Sequence, residues 1–108
     1  MLKFLFSDMI LIMKKEDIIK KISEPLPLLK DKYHIKSMGI FGSYVRGEER
    51  KDSDLDILVE FQEPIGLLKF IELENYLSDI TGVKVDLVLK KALKPRIGSY
   101  ILKEVVNI

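Results

Sequence analysis

The sequence predicts an α/β domain, with a mixed sheet covered by helices on one face and an open, acidic face on the other. Residues 54–61 (DLDILVEF) alternate apolar side chains with acidic ones, which is the period of a strand with one face in a core. Residues 83–89 (VKVDLVL) repeat that alternation with Asp86 on the polar side. Around these two strands, apolar residues recur at three- and four-residue steps, the period of an amphipathic helix.

Taken in chain order, Ile18, Ile22, Leu26 and Leu29 lie on one helical stripe running from Asp17 to about Lys32. Pro25 and Pro27 interrupt it, and because the stripe stays in phase across them the pattern reads as a kink or restart, with Ser23 as cap and Pro25 in the first turn. Residues 35–41 read as a short buried strand that stops at Gly42-Ser43, a pair suited to a tight turn that exposes backbone N–H groups. In the strand at 54–61, Leu55, Ile57, Val59 and Phe61 face the core, while Asp54, Asp56 and Glu60 face away. A helix follows over 67–79, with Phe70, Leu73, Leu77 and Ile80 as its stripe and Thr81-Gly82 closing it. Val83, Val85, Leu87 and Leu89 then face the core from the next strand. Pro95 opens a last helix with Ile97 and Ile101 inward, and Val105-Val106 read as a short edge strand.

Composition narrows the chemistry. The 108 residues suit one small domain, assigned to residues 15–108, preceded by a leader at 1–14. Eighteen basic against 17 acidic side chains leave a net charge of +1, so no basic field invites DNA or RNA and no direct nucleic-acid contact is expected. With no cysteine and a single histidine, disulfides, thiolate metal sites and histidine clusters are excluded, and any metal must be held by oxygen. The apolar run at 1–13 is shorter than the roughly 20 residues of a membrane span, is interrupted by Lys3 and Asp8, and lacks a small-residue cleavage site. The expectation is a cytoplasmic protein with no membrane association.

The candidate chemistry sits on the polar side of the strands. Asp54 and Asp56 are two residues apart on one face, with Cβ atoms about 6.6 Å apart, close enough for both carboxylates to converge on divalent cations. Without a cation they repel each other, and magnesium relieves the repulsion. If the two strands are neighbours, Asp86 joins them, and three carboxylates suit two metal ions roughly 3.5 to 4 Å apart, the arrangement used in phosphoryl transfer. Alone, D-x-D on a strand is more often a solvated face, Gly42-Ser43 an ordinary turn and Arg46 a surface cation. In combination, the turn N–H groups and the Ser43 hydroxyl can cradle phosphate oxygens, with Arg46 one helical turn on as fixed positive charge. GSYVRG has the two glycines of a Walker A loop, but Glu48 stands where that motif needs lysine. There is no G-x-G-x-x-G either, so a dinucleotide fold is unsupported.

GSYVRGEERKDSDLD resembles the G-S-x(10)-D-x-D signature of the polymerase-beta-like nucleotidyltransferases. From Lys15 onward, GIFGSYVRG, SDLDILVEF and VKVDLVL stand in the order and spacing of the minimal nucleotidyltransferase family. Val45 and the two prolines of the first helix depart mildly from its pattern. The resemblance implies a polymerase-beta-like palm. It also implies that Gly42 and Ser43 hold the distal phosphates of ATP, and that Asp54, Asp56 and Asp86 hold two magnesium ions, Asp86 also assisting deprotonation of the attacking hydroxyl. It further implies an antitoxin of a type VII toxin–antitoxin pair, transferring AMP from ATP to a tyrosine of a HEPN-domain toxin. Two alternatives stand beside it: a non-catalytic antitoxin that neutralises its toxin by binding, and nucleotidyl transfer to RNA or a small molecule. His34 reads as a surface residue in a helix-to-strand turn, and Tyr33, Tyr44, Tyr76 and Tyr100 as packing or rim residues.

Overall fold

A computed structural model describes residues 14–50 and 52–108. The predicted first helix is two helices, α1 (Lys15–Ser23) and α2 (Leu26–Tyr33). Ile18, Ile22, Leu26 and Leu29 are buried on both sides of the break, so the stripe does continue in phase. Ser23 is not the cap, however: it ends α1, and its hydroxyl donates back to the Ile19 carbonyl at 2.6 Å. Pro25 itself stands before α2, without a capping side chain. His34 ends α2 in the left-handed conformation, and its side chain is about half exposed.

Strand β1 (Ile35–Phe41) lies at the centre, between β2 (Leu55–Phe61), antiparallel to it, and the two-residue edge strand β4 (Val106–Asn107), also antiparallel. Strand β3 (Val85–Leu89) is parallel to β2 on the far edge, which makes the sheet order β3-β2-β1-β4 and the sheet mixed. A register shift between Ile35 and Ser37 separates the buried Ile35 from the next buried residue, Met38, by three positions rather than two. Beyond it Met38 pairs with Val59 and Ile40 with Ile57 on the core face, leaving Gly39, Phe41, Leu58 and Asp56 on the other. Gly39 leaves room for β4: a Cβ there would lie 2.6 Å from Val105 Cγ2 and 3.0 Å from the Val106 carbonyl oxygen, so a larger residue would have to displace the end of the chain.

Helix α4 (Leu67–Thr81) follows β2 and precedes β3, the crossover that a parallel pair requires. Leu73, Leu77 and Thr81 are its buried residues; Phe70 and Ile80 are only partly buried. The Thr81 hydroxyl donates to the Leu77 carbonyl at 2.7 Å, which lets a polar side chain be fully buried. Tyr33, buried from α2, donates its phenol proton to Glu72 of α4 at 2.7 Å, and burial followed by that bond pushes its pKa up to about 12.

A short helix α3 (Ser43–Arg46) follows β1, and a 3-10 turn (Lys90–Ala92) leads from β3 towards α5 (Pro95–Glu104). Helix α5 departs from expectation. Only Gly98 is buried on it, Ile97 is 58% exposed, and Ile101 is partly buried. Both isoleucines border a cavity beside Phe41 and Asp56 rather than the main core. The face bearing Asp56 is therefore open at the acidic end of the strands and walled on one side by α5. No described helix is long and apolar enough to cross a membrane; the apolar run at 1–13 lies outside the described residues.

Candidate active site

Two registers assemble the site. Phe41 pairs with Asp56 across β1 and β2, so Gly42, the next residue after Phe41, is delivered to the Asp56 carboxylate although 14 positions separate them in the chain. Gly42 has φ +82°, and a Cβ built on it would overlap the Asp56 side chain, so both its conformation and the space around it require glycine. Across β2 and β3, Asp56 pairs with Asp86, which sets their backbones about 4.8 Å apart. Asp54 lies just before β2, where the Leu55 N–H is held by the Lys84 carbonyl at 2.8 Å; Asp54 and Asp86 are exposed and Asp56 is half-buried.

The edge strand that carries Asp86 is itself braced. The Val85 N–H donates to Ser78 Oγ at 3.0 Å and the Leu87 N–H to Glu74 Oε2 at 2.9 Å, so two side chains of α4 occupy the free donors on either side of Asp86.

Burial first, then the nearby charges of Asp86 and Asp54, push the Asp56 carboxyl up to about 6; Arg46 opposes the rise and Glu104 adds to it. Among the described residues, no three histidine or carboxylate side chains come together as a preformed cation cage. The donor set is nonetheless all oxygen, which suits a hard divalent cation, and a cation would oppose the rise in the Asp56 pKa.

On the other side of Asp56, α3 turns sharply out of β1. Its first helical hydrogen bonds run from the Val45 and Arg46 N–H groups to the Gly42 carbonyl, at 3.1 and 3.2 Å. Tyr44 is buried and anchors this turn to the core, while Ser43 is half-exposed. Arg46 is exposed and donates from Nη1 to Glu104 Oε1 at 2.7 Å and from Nε to Glu48 Oε2 at 3.3 Å. The Gly42 N–H donates to the other oxygen of Glu104, Oε2, at 3.0 Å. A cavity of about 450 Å³ opens here, lined by Gly42, Arg46, Asp56, Ile97, Tyr100 and Glu104 among others. Tyr100 is a rim residue at 70% exposure.

The residues singled out from the sequence thus lie around one end of the sheet, and among the described residues no three carboxylates converge. Glu104 was not among them. Its one sequence signal is an acid in the last turn of a helix, where the helix's own partial charge disfavours a carboxylate.

A family model for the nucleotidyltransferase domain matches residues 13–108. The chain is 52% identical over 80 residues to the protein adenylyltransferase MntA of Thermococcus cleftensis, covering 74% of this chain and 81% of that one. It is 52% identical over 90 residues to a candidate protein adenylyltransferase of Methanocaldococcus jannaschii, covering 83% and 86%. Among solved structures, a candidate minimal nucleotidyltransferase superposes with a TM-score of 0.77 at 35% identity, covering 90% of this chain and 98% of that one. A chain of a toxin–antitoxin complex solved with AMP-PNP shares the fold, with a TM-score of 0.64 at 22% identity over 88% and 72% of the two chains. With the glycine turn and the carboxylates gathered by strand register, and with a family match spanning the whole fold, this chain belongs to the nucleotidyltransferase-domain family in its minimal form.

Proposed function

We propose that this protein transfers AMP from ATP, with magnesium, to a hydroxyl of a partner protein, and that the partner is a HEPN-domain toxin modified on tyrosine, the pair forming a type VII toxin–antitoxin system in the cytoplasm. The observation that carries the reading is the double register at Asp56, which sets a glycine turn against one side of a carboxylate and a second carboxylate against the other. The names of the relatives in Thermococcus and Methanocaldococcus support a protein as acceptor.

In this reading Gly42, Ser43 and Arg46 hold the distal phosphates of ATP. Asp54, Asp56 and Asp86 would hold the magnesium, as two ions. Magnesium bound there would supply positive charge to the phosphoryl oxygens and the leaving group. The acceptor oxygen bonds to the α-phosphorus, the bond from the α-phosphorus to the bridging oxygen breaks, and pyrophosphate leaves. Asp86, exposed at the sheet edge, takes the hydroxyl proton.

The test is labelling of the co-purified partner with α-labelled ATP and magnesium. Wild type is expected to label the partner on tyrosine, and Asp86→Ala to bind the partner normally while labelling it at most a hundredth as fast, on the order of the loss for a missing general base. Suppression of toxicity without any label would establish neutralisation by contact, and label on RNA or a small molecule would leave the chemistry standing with a different acceptor.

A further inference from the structure

The donors assigned to phosphate already have a partner within the chain. Glu104 places one carboxylate oxygen on the Gly42 N–H at 3.0 Å and the other on Arg46 Nη1 at 2.7 Å, a bridging arrangement that two oxygens of a phosphate would reproduce. Its side chain is only 22% exposed and its bond to the Gly42 N–H is partly buried, whereas the Glu48 that shares Arg46 is 63% exposed. Helix α5, which carries Glu104, has a light hold on the rest of the molecule. Of its ten residues only Gly98 is buried, and beyond it two β4 pairings and the Ile108 N–H to the Met38 carbonyl, at 2.9 Å, tie the end of the chain to β1. A carboxylate in the last turn of a helix is disfavoured by that helix, so Glu104 is held there by Gly42 and Arg46 rather than by α5.

We propose that Glu104 is a built-in stand-in for phosphate, and that it sets the protein's affinity for nucleoside triphosphates because their phosphates must displace it from Gly42 and Arg46. The proposal rests on the nucleotidyltransferase reading above. A triphosphate brings several negative charges to donors that one carboxylate occupies, so the two cannot share them without strong repulsion. Release needs only a rotation of the Glu104 side chain or a small lift of the last turn of α5, which the sparse burial of that helix allows.

Isothermal titration of the full chain with a non-hydrolysable ATP analogue plus magnesium, and separately with inorganic tripolyphosphate, tests this. Glu104→Gln removes the charge but keeps the shape, and is expected to bind both ligands about tenfold more tightly than wild type, the scale of one competing hydrogen bond to a charged group. Glu104→Asp keeps the charge but is too short to bridge both donors, and is expected to gain in the same direction. Thermal unfolding checks that each variant is folded. In wild type, tripolyphosphate should also shift the NMR signals of the Gly42 amide and the Arg46 guanidinium, a readout that needs no variant. Unchanged or weaker binding by a folded variant overturns the proposal and makes Glu104 a brace that keeps Arg46 in place. Tighter binding of the ATP analogue alone overturns it too, by moving the effect to the base or sugar. Absence of binding and of NMR shifts in every protein overturns the nucleotide reading itself.

Discussion

At the scale of single residues, the site is a place where the fold tolerates repulsion. Burial, and after it the nearby charges of Asp86, Asp54 and Glu104, raise the Asp56 pKa from 3.8 to about 6. Between those two values the folded protein holds a proton that the unfolded chain has released, so this group's contribution to stability falls as pH rises from about 4 to about 6. Asp56→Asn is therefore expected to melt higher than wild type above pH 6 without divalent cation, with the difference disappearing below about pH 4; equal melting temperatures at pH 7 would show that the repulsion is not felt. Gly42 is the complementary case, since φ +82° and the adjacent Asp56 carboxylate both exclude a side chain. Gly42→Ala should cost about 1–3 kcal/mol in urea unfolding and abolish stabilisation by ATP with magnesium. Full retention of the ATP response would mean that this turn does not contact the nucleotide.

Among the elements, β3 and α4 act as a unit. Strand β3 is an edge, and edges expose N–H groups that need partners. Glu74 and Ser78 of α4 supply them at Leu87 and Val85, on either side of Asp86. Glu74→Ala is expected to destabilise the fold by about 1 kcal/mol and to slow transfer more than it weakens nucleotide binding, because it loosens the strand that presents Asp86. Measured KM and kcat separate the two effects; a change confined to KM would place Glu74 with the nucleotide instead. The helical stripe Ile18, Ile22, Leu26 and Leu29 was legible from its period, while Ser23 was misread, because a serine near a helix restart can cap the next helix or bond back to its own, and only backbone geometry decides. Helix α5 was misread for a related reason. Period locates an apolar stripe, but the stripe on α5 faces a cavity at the site, and period does not say what lies opposite.

For the molecule as a whole, we propose that residues 15–108 are the folding unit. The core extends from Ile18 to Leu87, and every site residue lies within that unit. A chain beginning at Met13 should unfold cooperatively and keep its ATP response; loss of cooperativity on thermal melting would mean that residues 1–12 complete the core. The strands were readable in the sequence because each alternation is a local pattern, and the motif because Gly42, Ser43, Asp54 and Asp56 lie close together along the chain. Asp86 was readable only conditionally, since its alternation sets its facing but not its neighbour. Pairing was decided in three dimensions: the register shift in β1 turns Met38 and Ile40 into the core and aligns Phe41 with Asp56, and the α4 crossover aligns Asp86 with Asp56. Glu104 lies still further from local reach, 62 residues from the glycine whose N–H it accepts, because a hydrogen bond between distant parts of a chain leaves no periodic trace in either. Side-chain type and period are properties of short stretches, and they determined the elements and the chemistry available to them. Register, crossover and the docking of α5 depend on contacts between distant stretches, and these decided which of those chemical groups meet.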